Sequence, residues 1–380
     1  MRNGLASAIF GASLVAGCGP RRLPNVPPPT PVVIVIEVTA TPLVPADLIF
    51  VWPDGAANEL RALDEFGQTR FALPAGIRTA DDAKMIAASD NRITTFDMRS
   101  GAATSAITQT ARLALKAISP RGEWAVLQSS PSQMQVMDLR LARARLIQME
   151  GNFAPLAISD NGRWLYLREQ PSPANPDLFL LFRLDLMDDN AAPHPLQFNG
   201  GSGPASGEIL ESAYTPDAKQ WLALMHDRAN ALVYAQMIDL NSGDVFNLYL
   251  PVTGAGDVAA NGAYRLAMVN GGAAYAINLA SGVATEIDTA SRRVTKFARF
   301  ASQPQAPSAK RILAAARGEV YFASGRNVWV YDTTRNIVGG PMSLEADVVG
   351  LAAPGDGRVM LALSDGSIQS VFGYTLLPRR

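Results

Sequence analysis

A short apolar strand that ends in aspartate recurs along most of this 380-residue chain, and that recurrence limits the fold more than any other feature. Clear copies are Ile93-Thr94-Thr95-Phe96-Asp97, Val136-Met137-Asp138, Arg183-Leu184-Asp185, Met237-Ile238-Asp239 and Val330-Tyr331-Asp332. Weaker copies end at Asp64 and Asp288, and Ile368 to Phe372 is a last strand without the aspartate. Successive aspartates from 64 to 332 stand 33, 41, 47, 54, 49 and 44 residues apart, a mean of about 45. Near 288 the frame is open, because Asn278-Leu279-Ala280-Ser281-Gly282 offers a competing turn.

A period of that size is the length of one four-stranded propeller blade. The aspartates have a local purpose in it: at a strand end the carboxylate accepts from backbone N–H groups two residues on and starts a turn. Gly101 follows Asp97 and Gly243 follows Asp239 at the offset where a tight hairpin needs positive φ, and Asn336 stands at the same offset from Asp332. A second mark precedes these strand pairs. Ala117-Ile118-Ser119-Pro120-Arg121-Gly122-Glu123-Trp124 aligns with Ala157-Ile158-Ser159-Asp160-Asn161-Gly162-Arg163-Trp164. Ala213-Tyr214-Thr215-Pro216-Asp217-Ala218-Lys219-Gln220-Trp221 is a third copy with one residue inserted, and Pro354-Gly355-Asp356-Gly357-Arg358 a partial fourth.

On these turns the chain resembles the WD-repeat-like, TolB-type β-propeller family, over about residues 47–377. The resemblance implies a fold and no chemistry. The expected fold is all-β: a β-propeller of four-stranded antiparallel blades, with small residues on the innermost strands and Trp124, Trp164 and Trp221 filling the wider wedge between sheets. Seven blades follow if the incomplete first unit (47–74) and last unit (347–377) share one blade, which is the favoured count; eight follow if they do not. Asn58 to Phe66 reads either as the one helix or as a strand pair around Asp64. Two β-sandwiches are the competing architecture, against which a repeat running the whole length argues.

The first 46 residues carry an address and a tether. Met1-Arg2-Asn3 is a basic start, and Gly4 to Gly17 is an apolar stretch of 14 residues, too short for the ~20 that span a bilayer but suited to a signal-peptide core. It ends Val15-Ala16-Gly17-Cys18 at the chain's only cysteine, which resembles the signal of bacterial lipoproteins. That resemblance implies cleavage after residue 17, with Val15, Ala16 and Gly17 at the signal-peptidase recognition positions and lipid on Cys18. Several acyl chains hold a protein where one holds only marginally, and Arg21 and Arg22 sit where anionic headgroups would add to the anchor. Gly19 stands where the family's inner-membrane retention signal has Asp, which mildly favours the outer membrane of a two-membrane organism. Eight prolines between 20 and 46 make residues 18–46 an extended spacer. Within it, Val32 to Val38 reads as spacer or as a strand added to the domain's edge.

Composition narrows the chemistry. Thirty-three Lys and Arg against 34 Asp and Glu imply no nucleic-acid partner. One cysteine and two histidines exclude a disulfide scaffold, a Cys-rich zinc site and a cysteine–histidine pair. No Gly-x-Ser-x-Gly elbow occurs, and the loop from Gly200 to Gly207 lacks the flanks of a dinucleotide site. The sequence names no catalytic residue, metal ligand or cofactor.

His226-Asp227-Arg228 and, one blade earlier, Arg168-Glu169 fall where hairpin loops between second and third strands share a face with the inter-blade loops. Those five residues are the candidate partner contact. His194, between prolines, reads as an outer-loop residue. The reading overall is a signal peptide (1–17), a lipidated Pro-rich linker (18–46) and a propeller domain (47–380). The chain is read as held extracytoplasmically at the cell membrane or outer membrane, binding protein partners without catalysis. The alternative is a metal-dependent hydrolase or lactonase with its site at the channel mouth.

Overall fold

A computed structural model describes residues 33–34, 48–51, 59–171, 175, 177–198, 205–251, 262–269, 272–301, 313–316, 318–353 and 358–377. Among these no helix forms, and the strands gather into eight antiparallel sheets that follow one another along the chain. Residues 1–32 lie outside the described residues, so Val15, Ala16, Gly17, Cys18, Arg21 and Arg22 do too.

The eight sheets are the blades of a propeller, so the count is the larger of the two expected. Blade 1 holds Ile49–Val51, Glu59–Leu63 and Thr69–Pro74. Blade 2 holds Ile77–Arg78, Lys84–Ser89, Arg92–Asp97 and Ala103–Thr108. Blade 3 runs from Ala114–Ile118 to Arg143–Gln148, and blade 4 from Phe153–Ile158 to two short outer strands, His194–Pro195 and Ala205–Ser206, both paired with Leu178–Asp185. Blade 5 spans Glu208–Tyr214 to Val245–Tyr249, and blade 6 Tyr264–Val269 to Arg293–Arg299. Blade 7 spans Leu313–Ala316 to Ile337–Ser343, and blade 8 Val348–Ala352 to Thr375–Leu376. Val33–Ile34 pairs antiparallel with Ala106 and Ile107, so this part of the apolar run is an added edge strand on blade 2.

Each seam between neighbouring blades has its own apolar cluster. Alternate residues of one strand therefore feed opposite clusters: Leu165 and Leu167 face blade 3, and Tyr166 faces blade 5. All three are fully buried, which is why polar–apolar alternation is lost there. The last seam closes the ring. Ile49 and Val51 of blade 1 pack on Met360 and Ala362 of blade 8, and among the described residues no strand is shared between the two units.

The turns form as the side chains require. Asp97, Asp138, Asp185, Asp239, Asp288 and Asp332 all end third strands, and each Oδ1 accepts from the backbone N–H two residues on at 2.9–3.0 Å. Asp64 does not belong to this set: it directly follows the second described strand of its blade. The turn after it brings Gly67 against the Gly366 carbonyl, in the loop between the second and third strands of blade 8. This is the physical reason that the first spacing, 33, is the shortest. Of the stretch from 58 to 66, the described part accordingly forms no helix: Glu59–Leu63 is a strand, and Asn58 lies outside the described residues.

The other turn is equally regular. The hydroxyls of Ser119, Ser159 and Thr215 accept from the N–H groups of Trp124, Trp164 and Gln220 at 3.1, 2.8 and 3.0 Å. Thr79 does the same for Lys84 at 3.0 Å, which makes Thr79 to Lys84 a further copy. Asp82 takes positive φ there, where the first two copies have Gly122 and Gly162. Glycine is needed at 162 for a second reason: a Cβ would stand 2.0 Å from Trp124 Cε2, because the indole of one blade lies on the turn of the next.

Candidate binding face

Arg168 and Glu169 end the second strand of blade 4, Trp164–Glu169, and His226 and Asp227 end that of blade 5, Gln220–Asp227. The strand rather than the loop therefore carries His226 and Asp227, and both are buried, at 3% and 5% exposure. The polar run alone predicts a loop, whereas strand length is set by pairing with Leu232 and Val233, a relationship outside the run itself.

Arg168 crosses the seam. Its Nη2 donates to the Gly207 carbonyl at 3.2 Å, just before the innermost strand of blade 5, while the guanidinium lies 4.3 Å over the Phe179 ring. Burial lowers its pKa, with Tyr234 and Asp177 opposing. Burial raises the pKa of Glu169, whose Oε1 stands where a Cβ on Gly151 would come within 2.8 Å.

Asp227 receives the Ser206 hydroxyl and, at 2.8 Å, the Asn230 amide. Burial acts to raise its pKa, but the hydrogen bonds from Ser206 and Asn230 outweigh this and leave it lowered. Ser206 in turn accepts the Tyr234 phenol on its carbonyl at 2.6 Å. Arg228 Nη2 donates to both Glu208 oxygens at 2.6 Å, and this bidentate pairing lowers the Glu208 pKa against the effect of burial. His226 Nδ1 stands 3.5 Å from Glu208 Oε1, and neither ring nitrogen has a hydrogen-bond partner among the described residues.

The five residues singled out in the sequence thus lie at neighbouring blade tips. Arg168, Asp227 and Arg228 are committed to named partners, making a pre-set polar rim across the blade 4–5 seam. Ser206, Glu208, Asn230 and Tyr234 complete it and went unrecognised. Only register identifies Glu208, which lies opposite His226. Ser206 donates to Asp227, and His226 lies on the other side of the strand with Leu222 and Leu224, so the arrangement sets up no hydroxyl–imidazole relay. His194 sits on the exposed outer strand of blade 4. Among the described residues no group of three His, Cys, Asp or Glu is placed to hold a metal ion.

No family model matches the chain, and no curated protein does. Among solved structures it is similar to the dihydro-heme d1 dehydrogenase NirN in complex with DHE, at 15% identity over 89% of this chain and 74% of that one, TM-score 0.51. It is also similar to BamB from Moraxella catarrhalis, at 15% identity over 80% of this chain and 89% of that one, TM-score 0.45. AztD from Citrobacter koseri follows, at 12% identity over 80% and 96% of the two chains, TM-score 0.45. At such identities the likeness shows the propeller fold alone.

Proposed function

We propose that the chain is a lipid-anchored extracytoplasmic β-propeller that acts as a non-catalytic protein-binding or scaffolding module at the cell envelope. The observation that carries the binding role is the rim at the blade 4–5 seam. Its charged groups are held by Gly207, Ser206, Glu208 and Asn230 before any partner arrives. A surface ordered in advance loses little conformational entropy on binding, so a modest contact area suffices. Lipid on Cys18 would add effective concentration toward partners in the same membrane, and the Pro-rich residues 18–46 would set the reach.

Two measurements test the reading separately. For the anchor, an alkyne-palmitate label is expected on the full chain and not on Cys18→Ser, which should leave the membrane fraction; label on the variant would sink the anchor. For the rim, the partner crosslinked to the wild-type chain in membranes is identified, and its recovery is compared with that of Arg168→Glu/Arg228→Glu. Loss of that one partner with unchanged fold supports the rim; undiminished recovery removes it.

A further inference from the structure

We propose that the groove on the rim between blades 3 and 4 docks an extended acidic segment of a partner protein, adding it as a strand along Arg143–Gln148. The groove is a cavity of about 290 Å³, floored by Trp124 and Val136 and walled by Leu141 on blade 3 and Met187 on blade 4. These two walls are among the most exposed large apolar side chains described, at 60% and 63%. The opening has a cause in the fold. Among the described residues the outer edge of blade 4 carries only two two-residue strands, His194–Pro195 and Ala205–Ser206, so no strand of full length stands beside the outer strand of blade 3.

That strand is an available edge. Arg143–Gln148 pairs with Gln133–Asp138 on its inner side, and among the described residues no strand takes its outer side. The equivalent edge of blade 2, Ala103–Thr108, accepts Val33–Ile34 as an added antiparallel strand, so the ring's outer edges are fit for such pairing. An added strand would satisfy edge N–H and C=O groups with its own backbone, and every second side chain would face the seam.

Charge selects the occupant. Arg143 and Arg145 stand two apart on one face of the strand. Arg145 turns to blade 4, where it donates to the Leu186 carbonyl and pairs with Asp189 at 2.7 Å. Arg143 shares that face, is exposed, and has no ion-pair partner among the described residues. Trp124 Nε1 and Arg145 Nε, both on residues lining the groove, are enclosed donors without an acceptor among the described residues. Asp138 also lines the groove, but its Oδ1 accepts from the Arg140 and Leu141 N–H groups and lies 3.7 Å from Arg140 Nε. Arg143 is therefore the lining charge left to select a carboxylate, and an aliphatic side chain suits the Leu141–Met187 walls. The expected occupant carries Leu, Ile, Val or Met two positions from Asp or Glu.

This inference rests on the protein-binding reading and is independent of the lipid anchor. The test pans a display library of random ten-residue peptides on the full chain in detergent. Wild type is expected to enrich the aliphatic-x-acidic pattern. Arg143→Glu, which should keep the wild-type melting temperature, is expected to lose roughly tenfold in affinity for an enriched peptide. It should recover that loss when the peptide's acid is changed to Lys. Leu141→Asp should bind neither. The proposal is overturned if no peptide enriches, or if enriched peptides bind Arg143→Glu and Leu141→Asp as they bind wild type. It is also overturned if wild type self-associates in sedimentation and Leu141→Asp is monomeric, because the occupant is then a second copy. Metal-dependent turnover by the full chain would defeat the non-catalytic reading and leave the peptide result standing.

Discussion

The phenol of Tyr214, at the end of the innermost strand of blade 5, donates to the carbonyl of Ile118 in blade 3 at 2.7 Å, two blades away. The same oxygen accepts from the Ile158 N–H of the intervening blade at 3.2 Å. Innermost strands have no partner strand on the axial side, so their backbone groups need acceptors and donors from elsewhere. One buried hydroxyl serves two of them and joins three blades. Burial raises the phenol's pKa, so the hydroxyl keeps its proton to donate.

Tyr214→Phe keeps the ring and strands the Ile118 carbonyl and the Ile158 N–H. The expected loss is about 1–3 kcal/mol of stability, read as a lower urea midpoint. An unchanged midpoint would mean that these groups find water, and the hydroxyl would then not be a tie between blades.

Gly162→Ala tests the seam between blades 3 and 4. The new Cβ would meet the Trp124 indole at 2.0 Å on a backbone with φ of 70°, so strain and displacement act together. A cost of about 2–5 kcal/mol is expected, with a change in tryptophan emission. Gly366→Ala is the control, since its φ is 83° but nothing lies within 4 Å of the new atom. It should cost about 1–2 kcal/mol and leave the emission alone. Equal costs would show that the contact with Trp124 is yielding.

Two carboxylates at the candidate rim should respond to pH in opposite directions. Asp227 has a lowered pKa, so its contribution is present above the unfolded-chain value near 3.9 and fades as pH falls through the folded value. Asp227→Asn should therefore destabilise at pH 7, with the gap from wild type narrowing below about pH 4. Glu169 has a pKa raised by burial. The folded state holds its proton more tightly, so its favourable contribution is present below about pH 4.3 and is lost as pH rises through the folded value. Glu169→Gln should thus be more stable than wild type at pH 7 and no more stable in acid. Denaturant midpoints across pH 3–8 check both, and parallel profiles for the two variants would refute the opposed signs.

The parts of this fold legible in the sequence are those written within a few residues. An aspartate that accepts from the N–H two residues on needs no distant partner, so six of the seven marked strand ends hold. The Ser/Thr turn is equally local, yet Thr79 to Lys84 does not match the motif, because Asp82 replaces the expected Gly and no Trp follows. Asp64 misled because a carboxylate makes the same local bonds in a different hairpin: its Oδ1 accepts from Phe66 at 2.9 Å. At the rim, Arg168 and Arg228 were nameable as charges, but their partners Gly207 and Glu208 are fixed by register and by the approach of two blades. The groove by Trp124 depends on the outer edge of blade 4 being covered by two short strands, His194–Pro195 and Ala205–Ser206, a property that no turn motif encodes.

Blade 1 should be the first part of the ring to open. Among the described residues it has three strands, and its seams with blades 8 and 2 each hold four buried apolar side chains. The other six seams hold from nine (blades 2–3 and 6–7) to 14 (blades 3–4). Less buried apolar area means a lower local opening free energy, so amides of Glu59–Leu63 should exchange before those of Gln220–Asp227. Ile49→Ala truncates one of the four buried apolar side chains in the closing seam, where large-to-small changes cost roughly 2–5 kcal/mol. Its effect should appear as faster exchange in blades 1 and 8, with blades 4 and 5 near wild-type rates until global unfolding. Uniform acceleration around the ring would show that the eight blades open as one unit and that the closing seam has no separate stability.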